Sequence, residues 1–127
     1  MPRPEEHLSP LRPLELGEAQ QLAERMAVFA TASRLQLLYA LGDGERSVDE
    51  LAQLTGLAPN AISQQLRILR HLHFVVAQRD GRRMIYRLHD DHIADLLGAI
   101  RHQHEHARHG WVDAPGEPRR RRARARA

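Results

Sequence analysis

Ser47-Val48-Asp49-Glu50-Leu51-Ala52-Gln53-Leu54-Thr55-Gly56, then Pro59-Asn60-Ala61-Ile62-Ser63-Gln64-Gln65-Leu66-Arg67-Ile68-Leu69-Arg70-His71, is the stretch on which the fold turns. Ser47 and Glu50 have the spacing of a capping box: the hydroxyl accepts from the Glu50 amide while the Glu50 carboxylate reaches back to the Ser47 amide. The short helix they open carries Leu51 and Leu54 and stops at Gly56. Pro59 follows at a first helical position, where no amide partner is needed. Ile62, Leu66 and Leu69 then repeat at helical spacing up to about His71. Two helices joined by a tight turn, the second free of acidic residues, predict a helix-turn-helix.

Downstream, Phe74-Val75-Val76-Ala77-Gln78-Arg79 and Arg82-Arg83-Met84-Ile85-Tyr86-Arg87-Leu88 are β-branched or aromatic runs flanking Asp80-Gly81, a strong hairpin signal. Upstream, helical character starts at Leu14, with Leu22, Met26 and Phe29 at i, i+4 and i+7. Leu35, Leu38 and Leu41 stripe a second helix, capped by Ser33 and stopped by Gly42-Asp43-Gly44. From Asp90 to about His109 the chain is helical again, with Ile93, Leu96, Leu97 and Ile100 apolar. The expected fold is mainly α with a small β-hairpin, a winged helix-turn-helix of order α-α-α-α-β-β-α. Residues 1–13, with Pro2, Pro4, Pro10 and Pro13, read as a flexible arm. Residues 14–110 read as the DNA-binding and dimerisation domain, and 111–127 as a disordered Arg-rich tail.

The 127 residues suffice for one domain, and 42% apolar residues allow a real core. With 4% aromatic residues, that core must be built from Leu, Ile, Val and Ala. No apolar run approaches the ~20 residues of a membrane span. No apolar stretch follows the first residues either, which argues against a secretory signal. Cysteine is absent, which excludes disulfides, thiolate metal sites and Cys nucleophiles and makes a reducing cytoplasm the expected location.

The net charge of +3 conceals a sharp division. Residues 59–87 hold six arginines against Asp80 alone, between two blocks that are each acidic. Such a basic block is how a localised polyanion-binding face looks in sequence. All 19 basic residues are arginine, a bias that a GC-rich genome explains most simply. Within the block, Asn60, Ser63, Gln64, Arg67 and Arg70 lie mostly away from the Ile62/Leu66/Leu69 face. Short amides, hydroxyls and guanidinia are the groups that read base edges or phosphates in a major groove. Arg79, Arg82 and Arg83 at the hairpin tip suit phosphate or the minor groove. Double-stranded DNA is the expected partner.

Arg34-Leu35-Gln36-Leu37-Leu38, Ser47 to Ala52, Ala61 to Leu69 and Gly81 to Leu88 resemble the ArsR/SmtB winged-helix repressors, in order and almost without gaps over residues 18–107. The resemblance implies a homodimeric repressor on an imperfect palindromic operator. Pro59–His71 would be its recognition helix and the hairpin its wing. Ser63, Gln64 and Gln65 occupy the family's base-reading positions. Many relatives have His where Gln64 or Gln65 stands, so the operator sequence does not carry over. A C2 dimer also accounts for the apolar stripes of the first and last helices, which exceed what one small core needs. It would set two recognition helices one DNA turn apart, ~34 Å.

Six of the nine histidines lie between His89 and His109. On a helix His102, His106 and His109 share one face and His104 points away. The family's zinc, nickel and cobalt sensors bind metal between the two last helices of the dimer. One helix supplies Asp-x-His and the other His-x-x-His or His-x-x-Glu. By this resemblance Asp90 and His92 match the first half without a gap. The second half falls on Gln103 and His106. Gln103 departs from the pattern, and His102, one residue away, can replace it if the helix is slightly rotated. The implied effector is a divalent ion bound by nitrogen and oxygen: zinc, nickel or cobalt. Two other readings stand beside this one: a regulator of the same type that senses no metal, and a His-rich metal storage or chaperone module. The latter would not need an Arg-tipped wing. No nucleophile motif or phosphate loop accompanies the Asp/His pairs, so an enzyme is not expected.

Overall fold

The computed structural model describes residues 11–109. Most of the expected arm and all of the expected tail lie outside the described residues. The elements run α1 (Leu16–Met26), a 3-10 turn (Ala27–Ala30), α2 (Ala32–Gly42), β1 (Arg46–Ser47), α3 (Val48–Thr55), α4 (Pro59–His71), β2 (Val75–Asp80), β3 (Arg83–Leu88) and α5 (Asp91–Arg108). This is the expected winged helix-turn-helix, with one strand more than expected.

That strand, β1, pairs Arg46 with Tyr86 and Ser47 with Ile85, giving an antiparallel sheet of order β1-β3-β2. Two residues are too short for any alternation of apolar and polar side chains to register. The hairpin also closes one residue later than Asp80-Gly81 suggests: Asp80 pairs with Arg83, leaving Gly81-Arg82 as the turn. Gly81 has φ +66, a conformation that costs glycine nothing.

Helix starts differ in two places. α1 begins at Leu16 rather than Leu14. Ser33 does not cap α2; Thr31 is the N-cap, without a side-chain cap bond, and helix starts at Ala32. Within α2, Leu37, Leu38 and Leu41 are buried, while Leu35 is only half-buried.

The helix-turn-helix forms as its local chemistry dictates. Ser47 Oγ accepts from the Glu50 amide at 3.2 Å, and the Ser47 amide donates to Glu50 Oε1 at 2.8 Å. α3 ends on Gly56 at φ +78, whose amide reaches the Ala52 carbonyl. Among the described residues Ser47 is the one buried polar residue. Its bond to Glu50, chiefly through the Ser47 main chain, holds the Glu50 carboxyl below its ordinary pKa of 4.5. A lowered carboxyl pKa contributes stability above the ordinary value, and that contribution is lost as pH falls through the lowered one. Ser47→Ala is expected to cost about 0.5–2 kcal/mol in urea unfolding, the usual range for a lost N-cap. The main-chain bond from residue 47 to the Glu50 carboxylate survives in this variant, so the loss comes from the hydroxyl alone. Unchanged stability at neutral pH would refute this.

The core is Leu37, Leu38, Leu41, Leu51, Ile62, Leu66, Leu69, Phe74, Val75 and Leu88, with Val28 and Leu97 at its margins. α1 buries none of its residues. It is tied on by polar and aromatic contacts instead: Arg25 Nη2 donates to the Leu72 carbonyl at 3.0 Å and its guanidinium lies 5.1 Å from the Phe74 ring. Phe29, in the 3-10 turn, meets Phe74 edge-on at 5.3 Å. α5 joins the body through Leu97, and the Tyr39 hydroxyl donates to the Leu97 carbonyl at 2.7 Å. From Gly98 to His109 every residue is exposed. Among the described residues no helix is long and apolar enough to cross a membrane.

Candidate functional site

α4 presents its two faces as the sequence pattern requires. Ile62, Leu66 and Leu69 face the core, while Asn60, Ser63, Gln64, Arg67 and Arg70 are exposed. Gln65 differs: it is half-buried, and its Oε1 is enclosed with no hydrogen-bond partner. Two exposed residues on the same outer side escaped the sequence reading, Ile68 and His71. His71 lies seven residues after Gln64 and four after Arg67, a step that returns to the same helical face. That spacing was the available signal.

At the hairpin tip Arg79, Arg82 and Arg83 are all exposed. Arg79 Nη1 reaches the Gly81 carbonyl at 3.5 Å, and Arg83 pairs across the ladder with Asp80. α4 and the wing together form the basic block of the sequence. Exposed guanidinia at a hairpin tip, beside an acid-free helix, can neutralise phosphates and reach base edges.

Asp90 is the N-cap of α5, and its Oδ1 accepts from the Ile93 amide at 3.2 Å. Two imidazoles flank the same carboxylate, His89 Nδ1 at 3.0 Å from Oδ2 and His92 Nδ1 at 3.7 Å from Oδ1. The bond from His89 is the main reason the Asp90 carboxyl stays below its ordinary pKa of 3.8; burial opposes it, and the Ile93 amide assists. Asp90 and His92 are therefore brought together.

Further along α5, the His102 and His106 rings lie 4.3 Å apart. With Glu105 and His109 they line one shallow depression of about 360 Å³. His104 lies on another side, where it lines a depression with Leu35, Gln36, Tyr39, Ile100 and Arg101. His92 and His102 are ten residues apart, or ~15 Å of helix rise. Within one subunit the two pairs cannot share an ion. Among the described residues no three His, Asp or Glu side chains already surround one point. The donor set is nonetheless of the right chemistry, neutral imidazole with carboxylate, for a borderline divalent metal.

The sequence pattern of the family described as "Bacterial regulatory protein, arsR family" matches residues 31–76, from the start of α2 into β2. The chain is 40% identical over 104 residues to the HTH-type transcriptional regulator NmtR of Mycobacterium tuberculosis, covering 82% of this chain and 87% of that one. It is 39% identical over 87 residues to a transcriptional repressor, the SmtB homolog of Synechocystis, covering 68% and 66%. Among solved structures, a homodimeric winged helix-turn-helix DNA-binding domain from Mycobacterium bovis superposes with a TM-score of 0.66 at 27% identity, covering 78% of this chain and 92% of that one.

Proposed function

The chain belongs to the arsR family of bacterial regulatory proteins, a DNA-binding repressor of ArsR/SmtB type, and from that premise we propose that a divalent metal releases it from its operator. One observation carries the reading. Asp90 and His92 stand together at the start of α5, while His102 and His106 share a face on the half of α5 that its own subunit leaves exposed. Only a second copy can bring the two pairs together. Zinc, nickel and cobalt all accept such nitrogen and oxygen donors.

The dimer face in this reading is α1 with the outer half of α5. Leu22 and Met26 on α1 are 41% and 44% exposed, and Leu96 and Ile100 on α5 are 38% and 40%. Apolar side chains on two helices of one small subunit are what an isologous C2 contact buries. A metal shared across that contact fixes the angle between the two α5 helices. The angle sets the spacing of the two α4 helices, and so whether they fit successive major grooves.

On DNA, Ser63, Gln64 and Arg67 face base edges, with Asn60 and Arg70 beside them. Gln65, with its carbonyl enclosed, has a lesser part. Arg79, Arg82 and Arg83 act on phosphate or the minor groove. Arg82→Ala is expected to weaken binding to all sequences alike and to flatten the salt dependence by about one unit of slope. A change in the preferred sequence would refute that assignment.

The experiment that tests the whole reading uses DNA selected by the full-length protein from a random library. Zinc, nickel and cobalt are titrated calorimetrically into the dimer with and without that DNA. At least one ion should bind the free dimer more tightly than the DNA-bound one. If none binds, the protein is a repressor that answers to no metal, the reading that Gln103 in place of a ligand favours.

A further inference from the structure

We propose that His89, not itself a metal ligand, is the positioning residue of the metal half-site: it fixes the Asp90 carboxylate and ties it to the turn that ends the recognition helix. This rests on the reading above, in which Asp90 and His92 take the metal.

Four observations converge on His89. Its main-chain amide donates to the Phe74 carbonyl at 2.9 Å, which pins it to the turn between α4 and β2. That turn contains the one described non-glycine residue with positive φ, His73 at +65. Few residues other than glycine adopt this conformation, and histidine is among those enriched there. The His73 and His89 rings meet edge-on at 6.0 Å. Finally, His89 Nδ1 lies 3.0 Å from Asp90 Oδ2, and because an ionised carboxylate only accepts, Nδ1 is the donor.

The consequence is a division of labour between the two oxygens of Asp90. Oδ2 is held by His89, while Oδ1 faces the His92 ring and the Ile93 amide. The Asp90 side chain is 43% exposed; the Ile93 amide and the His92 ring bear on Oδ1, and His89 is what holds Oδ2. Ligating carboxylates held by an outer hydrogen bond bind metal more tightly because their orientation is set beforehand. The same bond runs in the other direction. Any movement of Asp90 toward an ion pulls on His89 and, through the Phe74 carbonyl, on the exit of α4. Arg25 and Phe29 contact the same exit, through the Leu72 carbonyl and the Phe74 ring, so α1, the 3-10 turn and the half-site bear on one turn.

The test titrates zinc, nickel and cobalt separately into the full-length, metal-free dimer, with no DNA present. His89→Ala removes the donor, whereas His89→Asn returns an amide N–H near the place of Nδ1. His89→Ala should weaken metal binding by about 10- to 100-fold, the usual cost of losing an outer-shell partner, with His89→Asn within about threefold of the parent. Metal-free DNA affinity should stay parental in both, which a merely structural role for the ring would not allow. Parental metal affinity in His89→Ala, or an equal loss in His89→Asn, overturns the proposal. Asp90→Ala tells its failure from that of the underlying reading. If Asp90→Ala loses metal and His89→Ala does not, only the positioning role falls. If Asp90→Ala binds like the parent, or the parent binds none of the three ions, both fall.

Discussion

Arg67→Ala is expected to weaken binding to the selected DNA by about 1–3 kcal/mol, roughly 5- to 150-fold, and to leave the fold intact. Arg67 stands exposed on α4, four residues after Ser63 and three after Gln64, so the three side chains form one outward cluster. A guanidinium reaching guanine in two places discriminates on this scale. The neighbouring residue supplies the control. Leu66 is 1% exposed and belongs to the core, so Leu66→Ala should cost about 2–5 kcal/mol of unfolding stability. Adjacent positions on one helix should thus fail in different ways, one in fluorescence anisotropy with labelled DNA and the other in urea unfolding. If Arg67→Ala, Ser63→Ala and Gln64→Ala dimers all bound like the parent, α4 would not be the reading helix.

The second large effect is on metal response. In the parent, the active ion should weaken DNA binding by a factor corresponding to about 1–3 kcal/mol of coupling. His92→Ala should keep metal-free DNA affinity and bring that factor close to one. Linkage fixes a second, independent number: the ion must bind free dimer more tightly than DNA-bound dimer by the same factor. Two titrations therefore have to agree. His106→Ala should behave as His92→Ala does, because in the proposed site each ion takes donors from both subunits. His92→Ala and His106→Ala dimers that still released DNA at the parent's metal concentrations would place the site elsewhere.

Much of this architecture was legible because its signals are local. The α3–α4 unit is written in three short cues: the Ser47/Glu50 box, Gly56 at positive φ and Pro59 at the first helical position. Each acts within four residues, so each survives being read without tertiary context. What escaped depends on distant partners. β1 exists because Arg46 and Ser47 meet Tyr86 and Ile85 across 38 or more positions of sequence, and nothing in two residues announces it. The choice of Leu37 over Leu35 for the core is made by what packs against α2, since both fit an amphipathic helix. Ser33 is a good capping residue in the wrong place, because the chain leaves its 3-10 turn at Thr31. Among the proposed metal-site residues, Asp90 and His92 were suggested by the family resemblance, whereas His89 was not. Its part is defined by a carbonyl at Phe74 and a ring at His73, which only folding brings close.

A helix with no fully buried residue in its own subunit, such as α1, makes thermodynamic stability depend on how many copies are present. By mass action, anything that binds only the folded state raises the apparent stability with its concentration, and for a homodimer that ligand is the protein itself. Dilution should therefore lower the melting temperature, and a scarce repressor should be a shorter-lived one. Local opening would start at α1 and at the outer half of α5, where the least apolar area holds the chain. A subunit without its partner should then be the form that proteases attack first. Survival of the repressor should then rise with its own copy number.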